Sequence, residues 1–101
     1  MRKVALLEPK ELEEIAWRAF EKSGLPKPRG VIAIEQNDSE GEDIIIVGLQ
    51  VTKDDNLGTP AQRLEAGRLI QHDVWDKGDN RGAIMRHVLV DDQVDPRIVA
   101  A

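Results

Sequence analysis

Apolar residues fall along this chain in two rhythms, and the first is helical. Leu12, Ile15, Ala16, Ala19 and Phe20 recur at intervals of three and four, the spacing that lines one side of an α-helix. Pro9 suits the first helical position, where its missing N–H forfeits no bond, with Glu8 at the cap and Glu11 placed to reach back to it. Leu7 and Leu12 stand where a hydrophobic staple fixes the entry of the chain. Gly24 supplies a left-handed stop, and Pro26 and Pro28 prevent continuation. A second helix is predicted from Pro60 to about Trp75, because Thr59-Pro60-Ala61-Gln62 combines a cap, a proline at the first position and a capping-box Gln. Its stripe of Leu64, Ala66, Leu69, Ile70 and Val74 is broader and less regular. Gly67 inside it costs about 1 kcal/mol relative to Ala, which predicts a close approach of helix to sheet at that point.

Between the helices the rhythm shortens to two. Positions 30–52 hold two runs rich in Ile and Val around an acidic, Gly-containing break at 36–43, the pattern of a β-hairpin with a longer loop. Side chains alternate across a strand, so Ile32 and Ile34 share one face while Val31 and Ala33 share the other. In the second run Ile45, Val47, Leu49 and Val51 make a continuous apolar face, yet Ile44 and Ile46 on the opposite side are apolar too. A sheet with one wet face reads as clean alternation, so this hairpin asks for a cover on both sides. The helices supply one cover, and a second subunit is the expected other. Val31, Ala33, Ile44 and Ile46 are the candidates for that subunit-facing side, with Trp17 and Trp75 as helix-borne interface residues.

Positions 83–90 predict a further strand, with Ile84, Val88 and Val90 on one side and Met85, His87 and Leu89 on the other, and a short helix is the alternative. Positions 3–7 predict a short first strand, with an irregular lead-in to the helix as the alternative, and 91–101, interrupted by Pro96, an irregular tail in which Ile98 and Val99 dock or cross to a partner. The resulting order of strand, helix, strand, strand, helix, strand is the split βαβ arrangement of ferredoxin-like folds. The expectation is therefore a single α+β domain over 1–101, a two-layer sandwich with a four-stranded antiparallel sheet and both helices on one face. Without the first strand it reduces to a smaller αββα(β) two-layer domain.

Composition narrows the function classes. With 101 residues, 41% hydrophobic and 33% charged, the chain can bury a core without metal or disulfide staples. A net charge of -5, with basic residues scattered among acids, argues against a nucleic-acid surface. The absence of Cys removes disulfides, thiolate metal sites and cysteine nucleophiles, and fits a reducing compartment. No apolar run reaches the length of a secretory signal or a membrane span, so a soluble cytoplasmic protein is expected.

Candidate chemistry is sparse. His72-Asp73 with Asp76 and Asp79 is the densest group of ligand-type side chains, and His72 and Asp76 share a helix face. Two well-spaced groups fall short of the four ligands of a structural metal site, so no metal and no cofactor is expected. His87, followed by Asp91 and Asp92, is the second acid–base candidate. The acidic segment at 36–43 lacks the ligand spacing of a calcium loop and reads as a solvated turn. Phosphate loops, nucleophile elbows and dinucleotide glycine patterns are all missing from the sequence. Two readings follow. One is a small homodimeric binding module that presents a surface to a protein partner or a seam to a small ligand. The other is a small dimeric enzyme whose apolar inter-subunit pocket holds His72 or His87 beside Asp76 or another acid.

Overall fold

In the computed structural model, residues 6–90 are described. They run in the order α1 (Pro9–Ser23), β1 (Gly30–Asn37), β2 (Asp43–Val51), α2 (Pro60–Asp76) and β3 (Gly82–Leu89). Both helices begin as their capping residues dictate. The backbone N–H of Glu8 donates to Glu11 Oε1 at 3.3 Å, and Leu12 N–H donates to the Glu8 carbonyl at 3.0 Å. At α2, Gln62 N–H donates to Thr59 Oγ1 at 3.1 Å while Thr59 N–H donates to Gln62 Oε1 at 2.9 Å. Gln62 Nε2 then donates to the carbonyl of Gly24 at 3.1 Å, which ties the start of α2 to the end of α1. Gly24 closes α1 at φ 73°, a conformation that costs glycine little and other residues more.

The hairpin turn is held by one side chain. Gly41 N–H donates to the Asp38 carbonyl at 3.0 Å, Asp38 N–H donates to the Glu42 carbonyl at 2.8 Å, and Gly41 takes φ 84°. This is a type I turn followed by a left-handed residue, one of the common three-residue hairpin loops. Asp38 Oδ1 accepts from the N–H groups of Glu40 and Glu42, both at 2.9 Å. The acidic loop is therefore an ordered turn as well as a solvated one.

The sheet has three strands in the order β1-β2-β3. β1 and β2 pair antiparallel, with Ala33 opposite Val47 and Ile34 opposite Ile46, whereas β2 and β3 pair parallel through the α2 crossover. Both helices lie against one sheet face. The core between the layers joins Leu12, Ile15, Ala16, Ala19 and Phe20 of α1, Ala66, Ile70 and Val74 of α2, and Val31, Ile45, Val47 and Leu49 of the sheet. Fully burying a side chain such as Leu12, Ile15 or Phe20 contributes about 1.5–3 kcal/mol each.

The four-stranded antiparallel, ferredoxin-like expectation is thus corrected to a three-stranded mixed sheet, within the α+β two-layer class. The physical reason sits at Leu7. Its N–H donates to Asp79 Oδ2 at 3.0 Å and its carbonyl accepts from Arg81 Nη2 at 3.1 Å, so side chains satisfy the backbone groups that a strand would have used. With no strand between them among the described residues, β2 and β3 meet directly, and a crossover through α2 makes them parallel. The observed order is that of the smaller αββα(β) arrangement. Residues 3–5 of the expected first strand and the tail 91–101, with Asp91, Asp92, Ile98 and Val99, lie outside the described residues.

Two further expectations change. Leu64, placed on the buried stripe of α2 by its spacing, is 77% exposed. Gly67 makes no close helix–sheet contact, since nothing lies within 4 Å of where its Cβ would be.

Candidate interaction surface

Strand alternation and the register together assign every sheet residue to a face. Val31, Ala33, Ile45, Val47, Leu49, Ala83, Met85 and His87 face the helices. Ile32, Ile34, Ile44, Ile46, Ile84 and Val88 face the other way, and no described helix or strand covers them. Ile34, Ile46 and Ile84 form one cross-strand row. Ile46, at its centre, is 7% exposed because its neighbours enclose it, whereas Ile84 at the outer strand is 45% exposed. Toward the other end the face is tighter. A Cβ on Gly48 would meet Val88 Cγ2 at 3.2 Å, and the side chain of Gln50 lies over Gly30.

This register corrects half of the expected interface. Ile44 and Ile46 do lie on the uncovered face, but Val31 and Ala33 lie on the helix side, with Val31 in the core and Ala33 against it. The hairpin turn pairs Ile34 with Ile46, so Ile32 and Ile34 accompany Ile44 and Ile46. Trp17 packs edge-on against Phe20, with ring centroids 5.6 Å apart, and is partly buried against the core. Trp75 is 58% exposed near the end of α2.

The acid–base candidates are dispersed. His72 and Asp76 are both exposed on α2, and Asp79 is fully buried elsewhere. Among the described residues no cluster of three or more His, Cys, Asp or Glu side chains could hold a metal. His87 borders an open groove of about 680 Å³ between α2 and β3 whose lining includes Arg63 and Arg68 but no acid. Burial, and secondarily the positive charge of Arg63, holds its pKa below the usual imidazole value. A second cavity of about 740 Å³ lies at the hairpin end of the sheet, bordered by Asp38, Glu42, Asp43, Asn80 and Arg81. Neither cavity brings a histidine beside an acid.

Asp79, grouped by sequence with His72, Asp73 and Asp76, instead forms a buried clasp with Arg81, a residue the sequence did not single out. Asp79 is 0% and Arg81 5% exposed. Arg81 Nη2 donates to Asp79 Oδ2 at 2.7 Å and Nε reaches both carboxylate oxygens, while Nη1 pairs with Glu35 of β1 at 3.2 Å. Burial alone would raise the Asp79 pKa, but the Arg81 guanidinium and the N–H groups of Leu7 and Arg81 together hold it below the usual carboxylate range. Arg81 is held above its ordinary value, chiefly by its bond to Asp79. The clasp joins the entry of α1, the loop after α2 and β1, so its task is structural. Its only local trace is an Asp and an Arg two apart in a glycine-flanked loop.

Among the described residues no helix is long and apolar enough to cross a membrane. In comparisons with known proteins, no protein-family model, no curated protein and no solved structure matches this chain.

Proposed function

We propose that the chain is a noncatalytic interaction module that associates with a second copy through its uncovered sheet face. The observation that carries this reading is the in-register row Ile34, Ile46 and Ile84 on a face that no described element covers. Two such faces packed together would shield their isoleucines at the usual spacing of about 10 Å between sheets. Three strands about 4.8 Å apart and some eight residues long make a face of roughly 14 Å by 26 Å. That is smaller than the about 800 Å² per partner of a standard interface, so the association is weak and depends on concentration. The dimeric-enzyme reading gains no support: His72 and Asp76 are exposed on α2 and border neither cavity, and among the described residues no acid borders the groove at His87.

Sedimentation equilibrium over the micromolar to millimolar range tests the proposal. Mass should rise toward that of a dimer, and Ile34→Glu, which places a charge in the row but leaves the core untouched, should return it to a monomer. A monomer at every concentration, or a dimer indifferent to Ile34→Glu, overturns it.

A further inference from the structure

The outer edge of β3 differs from an ordinary sheet edge. Val90 N–H donates inward to the Val51 carbonyl at 2.8 Å, which turns the even-numbered residues of this strand toward β2. On the outer side, Gln71 of α2 stands in for a neighbouring strand: Ala83 N–H donates to its Oε1 at 2.7 Å, and its Nε2 donates to the Arg81 carbonyl at 3.0 Å. That mimicry covers one rung only. Beyond it the backbone N–H and C=O groups of Met85, His87 and Leu89 point outward, with no strand beside them among the described residues.

Beside these open groups runs the groove between α2 and β3, bordered by Arg63, Leu64, Gly67, Arg68, Met85 and His87. Gly67 keeps the helix wall of the groove low. A glycine inside a helix costs about 1 kcal/mol relative to Ala, and here no packed neighbour demands it. A side chain at this position would project into open space at the groove. Leu64 is 77% and Leu89 61% exposed along the same edge. Trp75 follows Leu64 by eleven residues, which brings it back to within about 20° on the helix, and Gln71, between them, shows that this side of α2 looks at the strand edge.

We infer that the β3 edge and its groove take an extended acidic peptide as an added strand. Charge selects the occupant. In a chain of net charge -5, the groove lining carries two arginines and no acid; Glu65 pairs with Arg68 at 2.7 Å, which leaves Arg63 as the charge the groove presents. A second copy paired through β3 about Arg86 would set that arginine against its counterpart, with Arg63 nearby, and facing like charges destabilise strand pairs. An incoming strand with acids at alternate positions meets the groove on the helix side. Its intervening apolar residues then lie beside Ile84 and Val88 on the other. Main-chain bonds supply affinity and the alternating side chains supply selectivity, as in other strand additions. The site meets the sheet face proposed for self-association along Ile84, so the variants that tell the two apart, Ile34→Glu and Gly67→Leu, lie away from that shared edge.

The experiment uses the full-length 15N-labelled chain and a capped synthetic peptide of about ten residues alternating Glu and Val. Titration should shift the amides of Met85, His87, Leu89 and Gly67 and slow hydrogen exchange at the three strand positions. Gly67→Leu, which puts a bulky side chain into the groove, and Arg63→Glu should each weaken binding about tenfold or more. Ile34→Glu should leave binding unchanged. A peptide N-methylated at alternate amides tests the strand geometry without altering the protein and should not bind. Equal binding of an alternating Lys and Val peptide, shifts confined to the Ile34 and Ile46 face, or full binding by the N-methylated peptide overturns the inference. A single-stranded oligonucleotide that displaces the peptide at equal affinity also overturns it, in favour of a nucleic-acid site.

Discussion

Removing the Asp79 carboxylate should cost more than any surface substitution in this chain. Asp79→Ala leaves the guanidinium of Arg81, 5% exposed, without its principal partner, and it also strands the N–H groups of Leu7 and Arg81 that the carboxylate accepts at 3.0 and 3.1 Å. Breaking a buried ion pair from one side costs about 3–5 kcal/mol, against a total of about 5–15 kcal/mol for a domain of this size. At about 4–8 °C per kcal/mol, the thermal midpoint should fall by roughly 12–40 °C. Glu35, the outer arm of the same clasp, is 57% exposed at its side chain, so Glu35→Ala should cost under about 1 kcal/mol. The double variant Asp79→Leu with Arg81→Met removes both charges together and should recover much of the single-variant loss. Urea unfolding followed by circular dichroism gives all three values. An Asp79→Ala cost below about 1 kcal/mol, or equal costs for Asp79→Ala and Glu35→Ala, would refute the assignment of the clasp. The sign with pH follows from the lowered Asp79 pKa. Its stabilisation is present above the unfolded carboxylate value of about 3.9 and is lost as pH falls through the lower folded value. Asp79→Asn should therefore be less stable at neutral pH and flatter across that acid range.

Gly67→Ala should raise stability by up to about 1 kcal/mol in denaturant titration, because the added methyl meets nothing within 4 Å. Asp38→Ala removes the acceptor of two backbone bonds in the hairpin turn and should cost about 1 kcal/mol, with faster amide exchange at Glu40 and Glu42 as the local readout. His87 has a folded pKa below its unfolded value, so the stability it carries is complete above about pH 6.5 and is lost as pH falls through the folded value. His87→Gln should reduce that loss, measured as the difference in urea midpoint between neutral and mildly acidic buffer.

Where interactions are local in sequence, the chain was legible. The caps at Glu8 and Thr59, the stop at Gly24 and the stripe from Leu12 to Phe20 act within a few residues, and the structure holds each where the spacing puts it. Strand pairing is not local in that sense. Which isoleucines share a face depends on the turn, and the turn at Asp38–Gly41 sets Ile34 against Ile46 and sends Val31 and Ala33 to the helices. The sheet order rested on a contact 72 residues apart, Leu7 to Asp79, which no periodicity in either segment announces. Leu64 misled for a related reason. Its spacing fits the stripe of α2, but it borders the open groove at the outer edge of β3, beyond which no described strand lies to cover it.

The parallel pairing of β2 with β3 also orders the events of assembly. The hairpin closes through a turn of a few residues, whereas Ile44 meets Gly82 only after the intervening helix has been laid down. Loop-closure entropy makes that second joining dearer by about 1–2 kcal/mol, so β3 should dock late and detach early. Short-lived openings at this margin would then bare the inner rim of β2 while the hairpin and α1 keep their shape, which makes β3 the hinge of the molecule's partial unfolding.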